Sequence, residues 1–222
     1  MLPAGSAPYL VPYAAFLALV ELQARVPTFG APLFALRVAL PAVLLAWFWQ
    51  RGAYRELAGH RLGAMTLADL AAGLGIAVLW VGPFVVWPAL ERGDAFDPLL
   101  LGSAPATLAL RFLGFVVITP LVEELFVRSF LFRYAPVFAT DGDFRTQPIA
   151  KLSGVAFVTT LLWFTFTHEQ WEWPVAFAAG AALNGWLGFR KHLVACVLAH
   201  AAANAAIFAL VMLGPYRLWE FL

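Results

Sequence analysis

The sequence is poor in cysteine and in charge. A single cysteine, Cys196, in 222 residues excludes an intramolecular disulfide framework and any cysteine-cluster metal site. Charged residues make up 12% of the chain and the formal net charge is +1. No long basic or acidic run is present, so the electrostatic footprint of a nucleic-acid binder is missing and no nucleic-acid partner is expected. Met1 to Ser6 holds no Lys or Arg, so the charged start of a cleaved signal peptide is absent. Tyr9 to Leu22 then reads as a first membrane span. Repeats, low-complexity tracts and long linkers are also lacking, which predicts one integral membrane domain over residues 1–222.

What the chain has in excess is apolar surface. Hydrophobic residues reach 63% and the mean hydropathy is +0.82, far outside the range of soluble domains. The lipid bilayer is therefore the solvent, and the expected fold is all-α, a polytopic transmembrane helix bundle of about seven to eight spans. A helical span needs ~20 mostly apolar residues. Seven segments qualify: Tyr9 to Leu22, Ala31 to Trp49, Met65 to Leu90, Ala106 to Phe138, Leu152 to His168, Pro174 to Phe189 and Leu193 to Leu213. The third and fourth exceed one crossing, so they tilt, extend past the bilayer, or kink at Pro83 or Pro120. An eighth, short or re-entrant segment stays open.

Orientation follows from where short loops keep their Arg and Lys. The second loop holds Arg51, Arg55 and Arg61, the fourth Arg145 and Lys151 with Arg133 just before it, and the sixth Arg190 and Lys191. Odd-numbered loops are poorer: Arg25 in the first, Arg92 among Glu91, Asp94 and Asp97 in the third, Glu169 and Glu172 in the fifth. The even loops are expected in the cytoplasm, with the N-terminus inside and, for seven spans, the C-terminus outside. In the sixth span Gly180, Asn184 and Gly188 fall four apart beside Gly185, a spacing that suits close helix packing.

Ionisable groups inside apolar spans are costly, so each asks for a partner or a function. Glu123 and Glu124 precede Arg128 in the apolar stretch Phe112 to Phe132. At ~100° per residue, Glu124 and Arg128 share a helix face and can pair, whereas Glu123 points about a quarter-turn away and is free to act. Pro120 upstream predicts a kink beside the acids. Phe164 and His168 again stand four apart, as do His200 and Asn204 in a span otherwise of Ala, Val, Leu and Ile. Each cluster has a plain structural reading: a salt-bridged helix end, an interfacial histidine, an interhelical hydrogen bond. Together they bring an acid, two imidazoles and an amide onto three spans that can converge on one cavity.

In their order and spacing these residues resemble the motifs Glu-Glu-x-x-x-Arg, Phe-x-x-x-His and His-x-x-x-Asn of the CPBP (CAAX protease and bacteriocin-processing) intramembrane proteases, which include the CAAX prenyl endopeptidases. Here they read Glu123-Glu124-Leu-Phe-Val-Arg128, Phe164-Thr-Phe-Thr-His168 and His200-Ala-Ala-Ala-Asn204. The likeness covers about residues 106–213, with the departure that Ser129 follows Arg128 where many members carry Gly. The short length and the early Pro12-Tyr13 are similar to the CAAX protease-related proteins that accompany exosortase-type sorting in bacteria. That likeness implies a bacterial inner (plasma) membrane and a link to protein-sorting machinery.

The resemblance implies an intramembrane endopeptidase acting on a membrane-associated or lipidated peptide or protein. Glu123 would be the general base, since a carboxylate in apolar surroundings has a raised proton affinity. His168 would orient the water, and His200 and Asn204 would donate to the oxyanion, contacts worth ~3 kcal/mol each in known sites. Glu124, Arg128 and Phe164 would support them. A zinc version uses Glu123, His168 and His200 as ligands. The metal-free version is preferred because no His-Glu-x-x-His helix is present. A thiol mechanism through Cys196, His200 and Asn204 is disfavoured, since residues stacked on one straight helix do not converge on a substrate atom. The rival classes are a non-enzymatic scaffold or immunity-type binding protein, and a proton-coupled transporter. Against the latter stands the absence of paired half-sequences.

Overall fold

The computed structural model describes residues 3–60, 63–214 and 218–222, so Arg61 of the second loop lies outside the described residues. The described residues form seven helical rods. They are α1 (Ala7–Arg25), α2 (Gly30–Gln50), α3 (Ala64–Val86), α4 (Ala104–Thr140), α5 (Gly154–Phe166), α6 (Trp173–Arg190) and α7 (Leu193–Leu213). Short 3-10 turns join several of them, and among the described residues there is no strand. The all-helical membrane bundle read from hydropathy is therefore what the chain forms.

The rods do not all qualify as spans. α1, α2, α3, α4 and α7 are long and apolar enough to cross a bilayer. At 13 residues, α5 reaches only ~20 Å, short of the ~30 Å hydrocarbon core. In α6, Pro174, Gly180, Asn184, Gly185 and Gly188 dilute the hydropathy. Outer faces meet lipid with bulky apolar groups such as Val43, Leu67 and Val78. In water such a surface would be a liability, but in hydrocarbon it costs nothing.

α4 is the longest rod and the least regular. Its backbone widens into π-helical stretches at Leu113–Ile118 and Glu124–Leu131, on either side of Pro120. The disturbance expected from a residue without an N–H is thus spread over two widened turns. Glu124 opens the second of them.

Contacts sort the connections onto two ends. At one end Tyr54 Oη donates to the Pro8 carbonyl at 2.7 Å, Tyr9 packs against Phe144 and His60 against His192, which gathers the N-terminus with the second, fourth and sixth connections. At the other, Phe96 N–H donates to the Trp219 carbonyl, Arg92 pairs with Glu220 at 2.5 Å and Phe84 packs against Trp171. The Arg- and Lys-rich connections thus share one end and the acid-bearing ones share the other.

Close packing is tightest between α3 and α7, where a Cβ on Gly73 would lie 2.3 Å from the Ala199 carbonyl oxygen. Only glycine allows that approach. In α6 the expected packing glycines are divided. Gly180 faces Phe164 and Leu161, and Gly188 faces Leu152, while a Cβ on Gly185 would meet nothing within 4 Å. Asn184 does not act as a small packing residue at all. Its side chain is fully buried and hydrogen-bonded to three neighbours.

Candidate active site

The polar core begins on α4. Glu124 and Arg128 are both fully buried and pair at 3.0 Å between Oε1 and Nη1, as their spacing predicts. Burying a lone guanidinium would cost several kcal/mol, so the pair brings further partners. Arg128 Nε donates to Asn184 Oδ1 at 3.3 Å, and Asn184 Nδ2 in turn donates to Thr160 Oγ1 at 2.9 Å and the Phe157 carbonyl at 3.2 Å. The guanidinium also lies 4.4 Å from the centre of the Phe164 ring. This gives the phenylalanine of the second motif a physical task, as a cation–π platform for the arginine of the first.

Glu124 has a second partner. His200 Nδ1 lies 2.8 Å from the same Oε1 that Arg128 holds. A carboxylate flanked by a guanidinium accepts, so Nδ1 carries the proton. The remaining ring nitrogen, Nε2, faces Glu123 across 3.8 Å, too far for a direct hydrogen bond. Glu123 is 8% exposed, and its Oε2 has no hydrogen-bond partner. Buried carboxylate oxygens are rarely left so unless something else occupies their lone pairs.

His168, two residues past the end of α5, is fixed in the same manner. Its Nδ1 lies 2.6 Å from the Phe164 carbonyl oxygen. Because a carbonyl can only accept, Nδ1 is the protonated nitrogen and Nε2 is left with a lone pair. Trp80 packs edge-on against the ring at 5.1 Å. Asn204, one turn along α7 from His200, donates one amide hydrogen to the Phe115 carbonyl at 2.7 Å and keeps its second.

Glu123, Phe164, His168, His200 and Asn204 all line one cavity of about 540 Å³, whose lining also includes Gly93, Asp94, Glu169, Trp171, Glu172 and Glu220. These last six belong to the acid-bearing end of the bundle, where Asp94 and Glu169 are exposed, so the cavity mouth is placed there. On its rim, outside the spans, burial above all raises the Glu172 carboxyl to about 7. Cys196 is buried, directs its thiol to the Leu183 carbonyl at 3.7 Å and does not line the cavity. Among the described residues no group of three His, Cys, Asp or Glu side chains is placed to hold a metal ion.

Residues 105–206 match the family model Type II CAAX prenyl endopeptidase Rce1-like. The matched stretch contains all three motifs and bears out the resemblance read from them, while α1 to α3 lie before it. No curated protein and no solved structure matches the chain. The match supports an intramembrane protease of the CAAX prenyl endopeptidase type, and the protein is an integral membrane protein.

Sequence reasoning overlooked several residues around this site. Thr160 and Asn184 hold Arg128, and Glu56 accepts from the Ser129 hydroxyl and lies 3.4 Å from Arg133 Nη2. Ser129, which replaces the usual Gly, is fully buried, so the departure is absorbed by a polar cluster rather than by a void. Asp69 takes Arg190 Nε at 2.7 Å and Trp186 Nε1 at 3.0 Å. Arg37, Asp69 and Arg111 are ionisable residues inside spans, and the rule that singled out Glu123 applies to them equally.

Proposed function

We propose that this protein hydrolyses a peptide bond of a membrane-associated or lipidated substrate, with Glu123 as general base and no metal in the step. The observation that carries the reading is the unpartnered, buried Oε2 of Glu123, facing the free Nε2 of His200 across 3.8 Å in a roomy cavity. A water in that gap would give one hydrogen to Glu123 and the other to the Nε2 lone pair of His168. Glu123 takes the proton as the water oxygen attacks the carbonyl carbon, and the carbonyl electrons move onto oxygen. The second Nδ2 hydrogen of Asn204 and, when its ring is cationic, Nε2–H of His200 stabilise the oxyanion. On collapse the C–N bond breaks and Glu123 returns its proton to the amine.

The side of the membrane belongs to the same proposal. With the Arg- and Lys-rich end in the cytoplasm, the cavity mouth faces the opposite compartment, and substrate reaches it from there or from the adjoining leaflet.

The test is cleavage of internally quenched peptides, with and without a prenylated cysteine, by purified protein in liposomes. Glu123→Gln is nearly isosteric and is expected to lower the rate by at least ~10²-fold. Full activity in that variant would dismiss the mechanism, and an unaltered partner-binding role with no cleavage in the parent would favour the scaffold reading.

A further inference from the structure

Two arginines in the cavity wall have no counterpart in the three motifs. Arg37 on α2 and Arg111 on α4 both line the cavity, each seven residues into its helix from the same end of the bundle, about 10 Å from that end. Other arginines held in the interior have an acid: Arg128 has Glu124, Arg133 has Glu56, Arg190 has Asp69 and Arg92 has Glu220. Among the described residues Arg37 and Arg111 have no ion pair, and the buried Nε of Arg111 has no hydrogen-bond partner. Asp94 and Glu172 line the same cavity but stand outside ion-pair reach of both.

What holds the two guanidiniums is aromatic. Arg37 Cζ lies 5.4 Å from the Phe34 ring centre, and Arg111 Cζ lies 5.3 Å from that of Phe96 and 5.1 Å from that of Phe115. The Phe34 and Phe96 rings are themselves 5.7 Å apart, so the two cations are fixed at neighbouring points of one wall. Stacking secures the faces of the guanidiniums and leaves their N–H edges, the groups that recognise planar oxyanions, without protein acceptors. Two like charges at one depth in a spanning region are unfavourable until an anion joins them.

We propose that Arg37 and Arg111 form a subsite for a carboxylate of the peptide substrate. The inference rests on the protease reading of the cavity and adds to it the feature by which substrate is positioned. Phe115 links the subsite to the chemistry, since its ring supports Arg111 while its carbonyl holds Asn204. Arg111 and Glu123 are twelve residues apart on α4, at most about 18 Å of helix. An extended peptide covers that distance in about five residues. The carboxylate therefore lies within a few residues of the scissile bond, on the side nearer the cavity mouth.

Binding rather than turnover tests this, so that failure of the subsite and failure of the protease reading are told apart. Full-length protein in nanodiscs of a zwitterionic lipid is titrated with a fluorescent apolar peptide of six residues carrying a free C-terminal acid, with its C-terminal amide, and with the amide bearing one Glu among its last four residues. The free acid or the Glu peptide is expected to bind about tenfold tighter than the plain amide, and which of the two does so identifies the source of the carboxylate. Arg111→Gln and Arg37→Gln should erase the difference, and Arg111→Lys should retain part of it. Equal affinities of all three peptides for the parent protein would overturn the proposal without any variant having to fold. So would a preference for acid that survives both Gln substitutions, or co-purified anionic phospholipid that is lost in them, which would make the pair a headgroup site. The parent's cleavage rate, measured separately, reports on the protease reading alone.

Discussion

Nδ1 of His200 lies 2.8 Å from Oε1 of Glu124, and this contact changes what the adjacent acids mean. Spacing alone assigns Glu124 to Arg128 and leaves it a structural role. In the folded chain the same oxygen serves Arg128 and His200 together, so Glu124 joins α4 to α7 and sets the ring nitrogen that His200 presents to the cavity. Glu123 has no such ties.

Opposite consequences are expected when either acid loses its charge. Glu124→Gln leaves Arg128 buried without a counter-charge, a change that costs about 3–5 kcal/mol in comparable sites, and it frees the His200 ring. Glu123→Gln removes a buried carboxylate with no direct partner, so the fold should keep its stability while cleavage is lost. Thermal unfolding in detergent, paired with peptide cleavage, separates the two. Equal destabilisation by both substitutions would show that Glu123 carries structural contacts as strong as those of Glu124.

Much of this was legible in the sequence, and the limits have physical causes. Hydropathy marked all seven rods, five of them because ~20 apolar residues in a row have few other uses, and the bounds of Leu193–Leu213 coincide with the expected span. α5 came out shorter than Leu152 to His168 because Ser153 caps it, accepting from Ala156 N–H, and because the chain turns at Thr167. The pairing of Glu124 with Arg128 could be read from helix geometry, since both lie on one element. The bonds from Arg128 to Asn184 and from Glu124 to His200 could not, since they join helices whose relative rotation no local pattern fixes. Asn184 was misjudged for a related reason. Four-residue spacing with two glycines resembles a packing stripe, and only the neighbour reveals that its amide is the functional part.

Substitution at Gly73 should reach the site from outside it. A Cβ there would lie 2.3 Å from the Ala199 carbonyl oxygen and 2.7 Å from Ala202 Cβ, so α3 and α7 must separate. Ala199 precedes His200, and a shift of ~1 Å in a catalytic group can cost on the order of 10²-fold in rate. Gly73→Ala is expected to lower both the unfolding temperature and the cleavage rate. Gly75→Ala, which meets nothing within 4 Å, is the control and should change neither. An active, fully stable Gly73→Ala protein would contradict the close approach of the two helices.

Orientation can be read from labelling in intact cells. With Cys196 replaced by Ala, single cysteines at Arg145 and Lys151 should stay unlabelled by an impermeant reagent until the membrane is opened. Cysteines at Asp94 and Glu169, on the cavity rim, should label from outside. The reverse pattern would turn the protein over and bring the cavity mouth to the cytoplasm. It would leave the chemistry untouched but change the compartment from which substrate comes.

Removal of divalent metal should leave cleavage intact. The donor chemistry alone does not decide this, because His168 and His200 each have Nδ1 engaged, by the Phe164 carbonyl and by Glu124, and each keeps Nε2 free, as metal-binding imidazoles do. Asn204 keeps an amide hydrogen suited to an oxyanion, which a metal-free step can use. Metal analysis of the purified protein is therefore expected to find less than stoichiometric zinc, and prolonged chelation should not reduce the cleavage rate. One tightly held zinc per chain, with activity lost on chelation and regained with zinc, would make Glu123, His168 and His200 ligands drawn together by the ion. The base would then have to be Glu124, released from Arg128 and His200 during the reaction. In that event Glu124→Gln would abolish turnover with zinc still bound, whereas Glu123→Gln would lose the metal, and measuring zinc in the two variants distinguishes the mechanisms even where both are inactive.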